Sequence, residues 1–516
     1  MQQKQFTLNT FFVIASFAVN FLVGFFMSPY LVSRLGVASY GFISLASNIF
    51  AITGLLTVAL NSMAARFLTV AVHRNDLEDA NIQFNTVFFA NLFLACLLGT
   101  VLTGVLFFRD HIFNIPAGIS SEFGILFGIQ IAVNLLSFIF STFGCVFLVK
   151  NRLDWMNMFL ILNKVLYVIS IVVLFRIFAP SLMLVGFSLL LPTLVVITGK
   201  FVYSRKLLPE LKIKFSCFRW QRVVVLVNSG VWNSVTSLAR TCLFSLDILF
   251  ANIFLGAWAA GIMAVAKIIP MQMDFFCSAI NSIFTPTFTR LYACDNQSAL
   301  CRQVRTAINF TAFLILVPML MFIAYGRIFF DLWMHGVKSH EVYILACMAT
   351  IPLLLSVPCL PLRSIQVAYN KLKMPALVLA ASGLLVVVSE IVLLKFTDLG
   401  LLALALPIAV INPLCNTAFG LIYTAKITGQ SRCCYIKQFM VIMFKTALLF
   451  IIISGFRMLY TPDSWLTLIL TCAAAGMICW GIGFFLYFSR EEQNVVADQI
   501  KIMLKKLAGR QPRPAE

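Results

Sequence analysis

Charge is scarce in this chain. Asp, Glu, Lys and Arg supply only 11% of its 516 residues, and the acidic kind, 19 against 38 basic, is the scarcer. Soluble globular domains carry about a quarter charged residues, so an ordinary soluble domain is excluded. Histidine occurs four times and the fourteen cysteines include no C-x-x-C, so neither a metal site nor a disulfide framework is encoded. Cys433 and Cys434 adjoin in a segment read below as cytosolic, where thiols stay reduced. There is no G-x-x-x-x-G-K-[ST], no H-E-x-x-H and no G-x-S-x-G; an ATP engine, a zinc hydrolase and a serine hydrolase are therefore not read here. Long polar stretches are missing too. The longest charged connector, 204–222, carries Arg205, Lys206, Lys212, Lys214, Arg219 and Arg222 and is too short for a catalytic domain. The reading is a protein that is not an enzyme and has no cofactor.

What fills the chain instead is apolar. Hydrophobic residues make up 61% of it and the mean hydropathy is +0.97. Runs of about 20 apolar residues, each long enough for a bilayer of roughly 30 Å, recur from end to end. Lipid cannot satisfy backbone polar groups, so such runs are helices. About fourteen spans are expected, at 7–31, 41–70, 86–108, 123–149, 155–175, 181–203, 223–254, 258–284, 307–325, 342–362, 375–394, 401–423, 439–458 and 465–488. The first follows the polar start MQQKQ without a small-residue cleavage site and reads as a retained helix. Pro270, Pro286 and Pro318 in or near spans mark bends, either hinges or static kinks.

The spans fall into two related sets. LGVASYG (from Leu35) followed by ALNSM (from Ala59) is echoed by LGAWAAG (from Leu255) and AINSI (from Ala279). Both anchors lie 220 positions apart (256 − 36 and 281 − 61). Asn151-Arg152-Leu153 matches Asn370-Lys371-Leu372, and Phe113-Asn114-Ile115 resembles Phe330-Asp331-Leu332, at nearly the same offset. Self-similarity at a fixed offset marks a duplicated unit, and in a membrane chain it points to a transporter of two related halves. The expected fold is an all-α polytopic membrane protein of two pseudo-symmetric six-helix bundles plus two C-terminal helices. Its parts are an N-lobe at 1–203, a basic linker at 204–222, a C-lobe at 223–425, two further helices at 426–488 and a basic amphipathic tail at 489–516. An even number of spans per half gives both halves the same topology.

The net charge of +19 would suggest nucleic acid in a soluble protein, but its location assigns it to topology. The termini and the loops after even-numbered spans hold about 27 Lys and Arg. The opposite loops hold only Arg34, Arg109, Arg176, Arg327, Lys338, Lys395 and Arg457. By the positive-inside rule both termini and the linker are cytosolic, and no nucleic-acid partner is expected. The tail segment 490–510, with apolar residues among Lys501, Lys505 and Lys506, suits an interfacial helix.

Ionisable residues inside spans are functional candidates by default. Asn233, Arg240 and Asp247 recur every seven residues, as do Lys267, Asp274 and Asn281, so each trio shares a helix face. Folding the two spans back to back about Gly256–Ala257 sets Asp247 against Lys267 and Arg240 against Asp274. One reading is a pair of structural ion pairs, because unpaired charge is costly in low dielectric. The other is a cavity-lining site where an anionic substrate or a coupling ion competes for a partner. Lys164, about a dozen residues into its span, is a further cavity candidate. Asn48, Asn61 and Asn281 suit either the path or helix–helix glue. Asp247, Asp274 and Glu390 are candidates for a coupling ion; for Glu390 a hydrogen bond to a neighbouring hydroxyl competes. Arg66, Arg290 and Lys445 are placed to snorkel.

The stretches NFLVGFFMSPYLVSRLGVASYGFISLA (from Asn20) and ALNSMAARFLTVAVHRNDLEDANIQFNTVFFAN (from Ala59) resemble the Wzx-like oligosaccharide or polysaccharide-unit flippases of the multidrug/oligosaccharidyl-lipid/polysaccharide exporter (MOP) superfamily, which includes the MATE transporters. The likeness is best over roughly the first 100 residues and is one of architecture beyond them. It implies two six-helix bundles around a central cavity and alternating access. The substrate it implies is an undecaprenyl-pyrophosphate-linked oligosaccharide, a unit of O-antigen (lipopolysaccharide), capsule or exopolysaccharide. That unit moves from the inner to the outer leaflet of a bacterial cytoplasmic (inner) membrane, alongside polysaccharide polymerase or glycosyltransferase partners. No short family motif carries site residues over. Three rivals stand: a multidrug–cation antiporter of the same superfamily, which favours an acidic cavity; the lipid II flippase branch, whose N-terminal signature is not visible; and a non-transporting scaffold for glycan synthesis.

Overall fold

The computed structural model describes residues 2–116, 118–334, 339–490 and 493. They form the expected succession of apolar helices: α1 (Gln2–Leu35), α2 (Val37–His73), α3 (Leu77–Phe107), α4 (Ser120–Val149), α5 (Leu153–Ile177), α6 (Leu182–Leu207), α7 (Trp220–Phe244, resuming as Leu246–Leu255), α8 (Ala257–Ala293), α9 (Gln297–Trp333), α10 (Ser339–Ala368), α11 (Lys373–Phe396), α12 (Leu402–Ile427), α13 (Cys433–Leu459) and α14 (Trp465–Tyr487). Counting the bent α7 as one span gives up to 14 helices long and apolar enough to cross a membrane. Lys338 and, but for Arg490 and Gln493, the tail segment lie outside the described residues.

Four spans depart from single straight helices. α4 is interrupted at Phe140, α10 by a 3₁₀ turn at Val357–Cys359 and α12 by a π turn at Pro413–Thr417. In the last two a proline removes a backbone donor and loosens the ladder. α7 bends by 44° at Ser245 and ends in a π turn, Ala251–Leu255, without any proline in its own sequence.

The duplication is written into the backbone. Gly36 (φ 83°) and Gly256 (φ 96°) turn the chain from α1 into α2 and from α7 into α8, a conformation that costs glycine little. Among the described residues the positive-φ residues other than glycine are two further pairs, Asn75 with Asp295 and Asn151 with Asn370. The pairs keep the sequence offset to within one residue (295 − 75 and 370 − 151). Asp76 caps α3 by accepting from Asp79 N at 2.9 Å, and Asn296 caps α9 by accepting from Ala299 N at 3.1 Å. Two halves with the same left-handed turns and the same caps have the same local fold.

The described residues divide into two compact units. The first comprises Met1–Ile268 and Leu379–Pro407. Within it α1, α2, α3, α4, α6 and α5 pack side by side in that order, and α5 returns to α1, closing a ring of six helices. Phenylalanines fill the ring between α2 and α4: Phe42 meets Phe123 at 5.0 Å, and Phe50 meets Phe127 at 5.3 Å between centroids. Tilted ring pairs at this spacing add to area burial. α7 lies along α2. The repeat-related glycines Gly41 (α2) and Gly261 (α8) face one another. A Cβ on Gly41 would stand 2.6 Å from Gly261 N, and one on Gly261 would overlap the Val37 carbonyl. The second unit comprises Ile269–Val378 and the described part of Ile408–Glu516. α9 is its buried centre, with α10, α13 and α14 against it. Trp480 donates to Phe313 O at 3.1 Å, and the buried hydroxyls of Thr446 and Tyr487 pair at 2.9 Å, so these polar side chains join helices of the unit.

Candidate functional site

The site grows from the break in α7. At Ser245 the helical dihedrals are lost (φ −126°, ψ −25°); Ser245 N still donates to Thr241 O at 2.9 Å, but the regular ladder that serves the last carbonyls of a helix is broken beyond it. The same end carries the negative pole of the helix dipole. In a membrane an unsatisfied carbonyl costs several kcal/mol. Lys267, one helix further on, supplies the donor: its Nζ donates to Phe244 O and, at 2.5 Å, to Asp247 Oδ2. Asp247 opens the resumed segment, where its Oδ1 accepts from Ile248 N at 2.9 Å. The pair set opposite each other by folding α7 on α8 is therefore an ion pair, with Asp247 5% and Lys267 6% exposed. Such burial requires pairing, because an isolated charge here is strongly unfavourable.

A third ionisable group completes the cluster from a distant part of the chain. Glu390 on α11 is 1% exposed and experiences the charges of Asp247 and Lys267. Its Oε2 has no hydrogen-bond partner, so the competing expectation of a neighbouring hydroxyl does not account for this oxygen. α11 reaches so deep because Gly383 lies directly on α7: a Cβ there would stand 3.1 Å from Ala239 O and 3.2 Å from Cys242 Cβ. The cluster thus holds two carboxyl groups, one ammonium and one helix-terminal carbonyl, all within the first unit.

The other candidates are distributed as follows. Arg240 is half-buried on α7, its guanidinium 5.7 Å from the centre of the Phe244 ring. Asp274 is half-buried on the part of α8 that belongs to the second unit. Lys164, near the middle of α5, is exposed. Asn61 joins three helices, its Oδ1 accepting from Asn91 Nδ2 at 3.0 Å and Ser141 Oγ at 3.3 Å. Its repeat partner Asn281 accepts from Ser364 Oγ at 3.2 Å. Asn48 donates to Ser44 O within its own helix. Arg66 and Arg290 are exposed, as snorkelling side chains are, and Lys445 lies 5.9 Å from the Tyr487 ring centre. Sequence reasoning did not find the Phe244 carbonyl, which no Pro or Gly announces, or the partners Asn91, Ser141 and Ser364, whose only mark is polarity within apolar runs.

No family model matches the chain. It is similar to the uncharacterized membrane protein EpsK of Bacillus subtilis (strain 168), 25% identical over 497 residues that cover 96% of this chain and 98% of that one. Among solved structures it is similar to the inward-facing conformation of a multidrug resistance MATE family transporter of the MOP superfamily. The TM-score is 0.66 at 14% identity, covering 79% of this chain and 94% of that one. It is equally similar to the lipid II flippase MurJ in its inward closed conformation, with a TM-score of 0.66 at 14% identity over 92% of this chain and 98% of that one. With its duplicated turns, ring of helices and up to 14 spans, the chain is a multi-pass membrane protein with the fold of the MATE and MurJ transporters.

Proposed function

We propose that this protein is a flippase that moves an undecaprenyl-pyrophosphate-linked oligosaccharide from the inner to the outer leaflet of a bacterial cytoplasmic membrane by alternating access, with both termini cytosolic. The fold supports a carrier. The observation that carries the choice of an anionic headgroup is Lys164, an exposed ammonium near the middle of a membrane-length helix. An ionisable group at that depth marks a substrate or ion path, and in low dielectric a cation binds a pyrophosphate far more strongly than it does in water. Arg240, half-buried on α7, is the second headgroup ligand in this reading. Lys267, already held by Asp247, is the third and engages when that pair opens. Asn61 in the first unit and Asn281 in the second are further candidates for substrate contact, and Asp247, Asp274 and Glu390 are the candidates for ion coupling. The uncharged polyprenyl tail stays in lipid while the sugars cross between polar walls, and polymerase or glycosyltransferase partners take up the unit on the far side.

Separate K164A and R240A substitutions test this reading in cells that depend on the protein for surface glycan. Each is expected to lower surface glycan about tenfold, the equivalent of roughly 1.4 kcal/mol of headgroup binding, while lipid-linked units accumulate on the inner leaflet. Normal glycan in both variants would favour a scaffold. The equal likeness to a multidrug transporter supports a second reading, and export of cationic dyes with glycan unaffected would put that antiporter first.

A further inference from the structure

Carriers with a broken helix hold coupling cations at unwound carbonyls and half-helix C-terminal ends, and a carboxylate beside such carbonyls adds the opposite charge. The break in α7 has those parts: the Phe244 carbonyl at the end of one segment, the Asp247 carboxylate at the start of the next, and Glu390 within charge–charge reach from α11. An ammonium already stands there. Lys267 Nζ contacts both the carbonyl and the carboxylate, as a small desolvated monovalent cation would. Its helix stem arrives from α8, so the cation is covalently tethered. Independent support for a built site is Glu390 Oε2, a carboxyl oxygen without a partner on a side chain that is 1% exposed. That is more oxygen than one ammonium uses.

We propose that the α7 break is a monovalent-cation site whose resident occupant is the protein's own Lys267 ammonium. The wild-type protein then binds no Na⁺ or K⁺ at the break. Shortening Lys267 leaves the Phe244 carbonyl, the Asp247 carboxylate and the nearby Glu390 carboxyl group without the ammonium, and an alkali cation occupies the vacated position. This inference is independent of the substrate proposed above, because it is read on the purified protein without lipid-linked sugar.

The test compares full-length wild type, K267A and K267A/D247N in detergent, in NaCl against choline chloride at equal ionic strength. Thermal unfolding and hydrogen exchange around residues 244–256 are followed. Wild type is expected to give the same Tm and protection in both salts. K267A is expected to unfold several degrees lower in choline and to recover saturably as Na⁺ replaces it, with protection returning at the break; D247N in that background abolishes the recovery. A K267A protein that folds only in Na⁺ would support the proposal equally. A folded K267A without a cation response would overturn it. So would a K267A that fails to fold in either salt while K267A/D247N folds. Saturable Na⁺ stabilisation of the wild type that D247N removes would also overturn it, and this last result needs no Lys267 variant. Loss of glycan export in any of these proteins leaves the outcome unchanged, so the two proposals fail separately.

Discussion

Two lysines at comparable sequence depth in their helices show how differently one residue type is kept in a membrane fold. Lys267 is enclosed, with its charge matched by Asp247 and by a helix-terminal carbonyl; Lys164 is left exposed near the middle of α5. The charge of Lys267 is matched and that of Lys164 is exposed, which is why headgroup binding is proposed for Lys164 before Lys267. The glycines make a sharper steric statement. Gly41 and Gly261 leave no room for a Cβ between α2 and α8, because the obstructing atoms are backbone and cannot rotate away. G41A and G261A are each expected to cost about 1–3 kcal/mol, the usual range for overpacking a tight contact, seen as a lower Tm of the detergent-solubilised protein. G104A, with nothing within 4 Å of its Cβ, serves as the control and is expected to leave Tm unchanged. Equal effects at all three positions would contradict the close crossing.

At the scale of elements, the connector between α6 and α7 is held like an added strand along one face of α3. Asn81 exchanges bonds with Glu210 O at 3.2 Å and Lys212 N at 2.9 Å, and Asn85, one turn on, with Lys212 O and Lys214 N, both at 2.8 Å. Arg222 and Asp79 add an ion pair at 2.9 Å. Asn85 is fully buried, so N85A leaves the connector's polar groups without partners, a loss of about 1–3 kcal/mol. Hydrogen exchange across residues 208–219 is expected to speed up in N85A while α3 itself stays protected; unchanged exchange would show that the clamp is dispensable. This clamp was not legible in the sequence, where the connector reads as a solvated basic loop, because side-chain amides that recognise an extended segment leave no periodic signal. The helices themselves were legible, since apolar length alone specifies a span, and so was the Asp247–Lys267 pair, which follows from folding two neighbouring spans about Gly256. The bend at Ser245 was not, for want of a Pro or Gly, and Glu390 joins the cluster only through a contact between α11 and α7 that no local pattern encodes.

For the whole molecule, the duplication visible in glycine and asparagine spacing proves to be a duplication of turns and caps, with the same left-handed residues starting or ending corresponding helices. That is the pattern expected of a fold built from two copies of one unit. The fold it produces is shared by a multidrug transporter and a lipid II flippase, so fold alone leaves function open, and the proposed anionic headgroup rests on the cations at membrane depth. The most direct measurement is the sidedness of the lipid-linked sugar in intact spheroplasts, read with a membrane-impermeant sugar label before and after depletion of the protein in cells lacking the polymerase. The lipid-linked unit is expected to be labelled while the protein is present and to become inaccessible, without falling in amount, once the protein is depleted. Undiminished labelling after depletion would contradict the flippase reading.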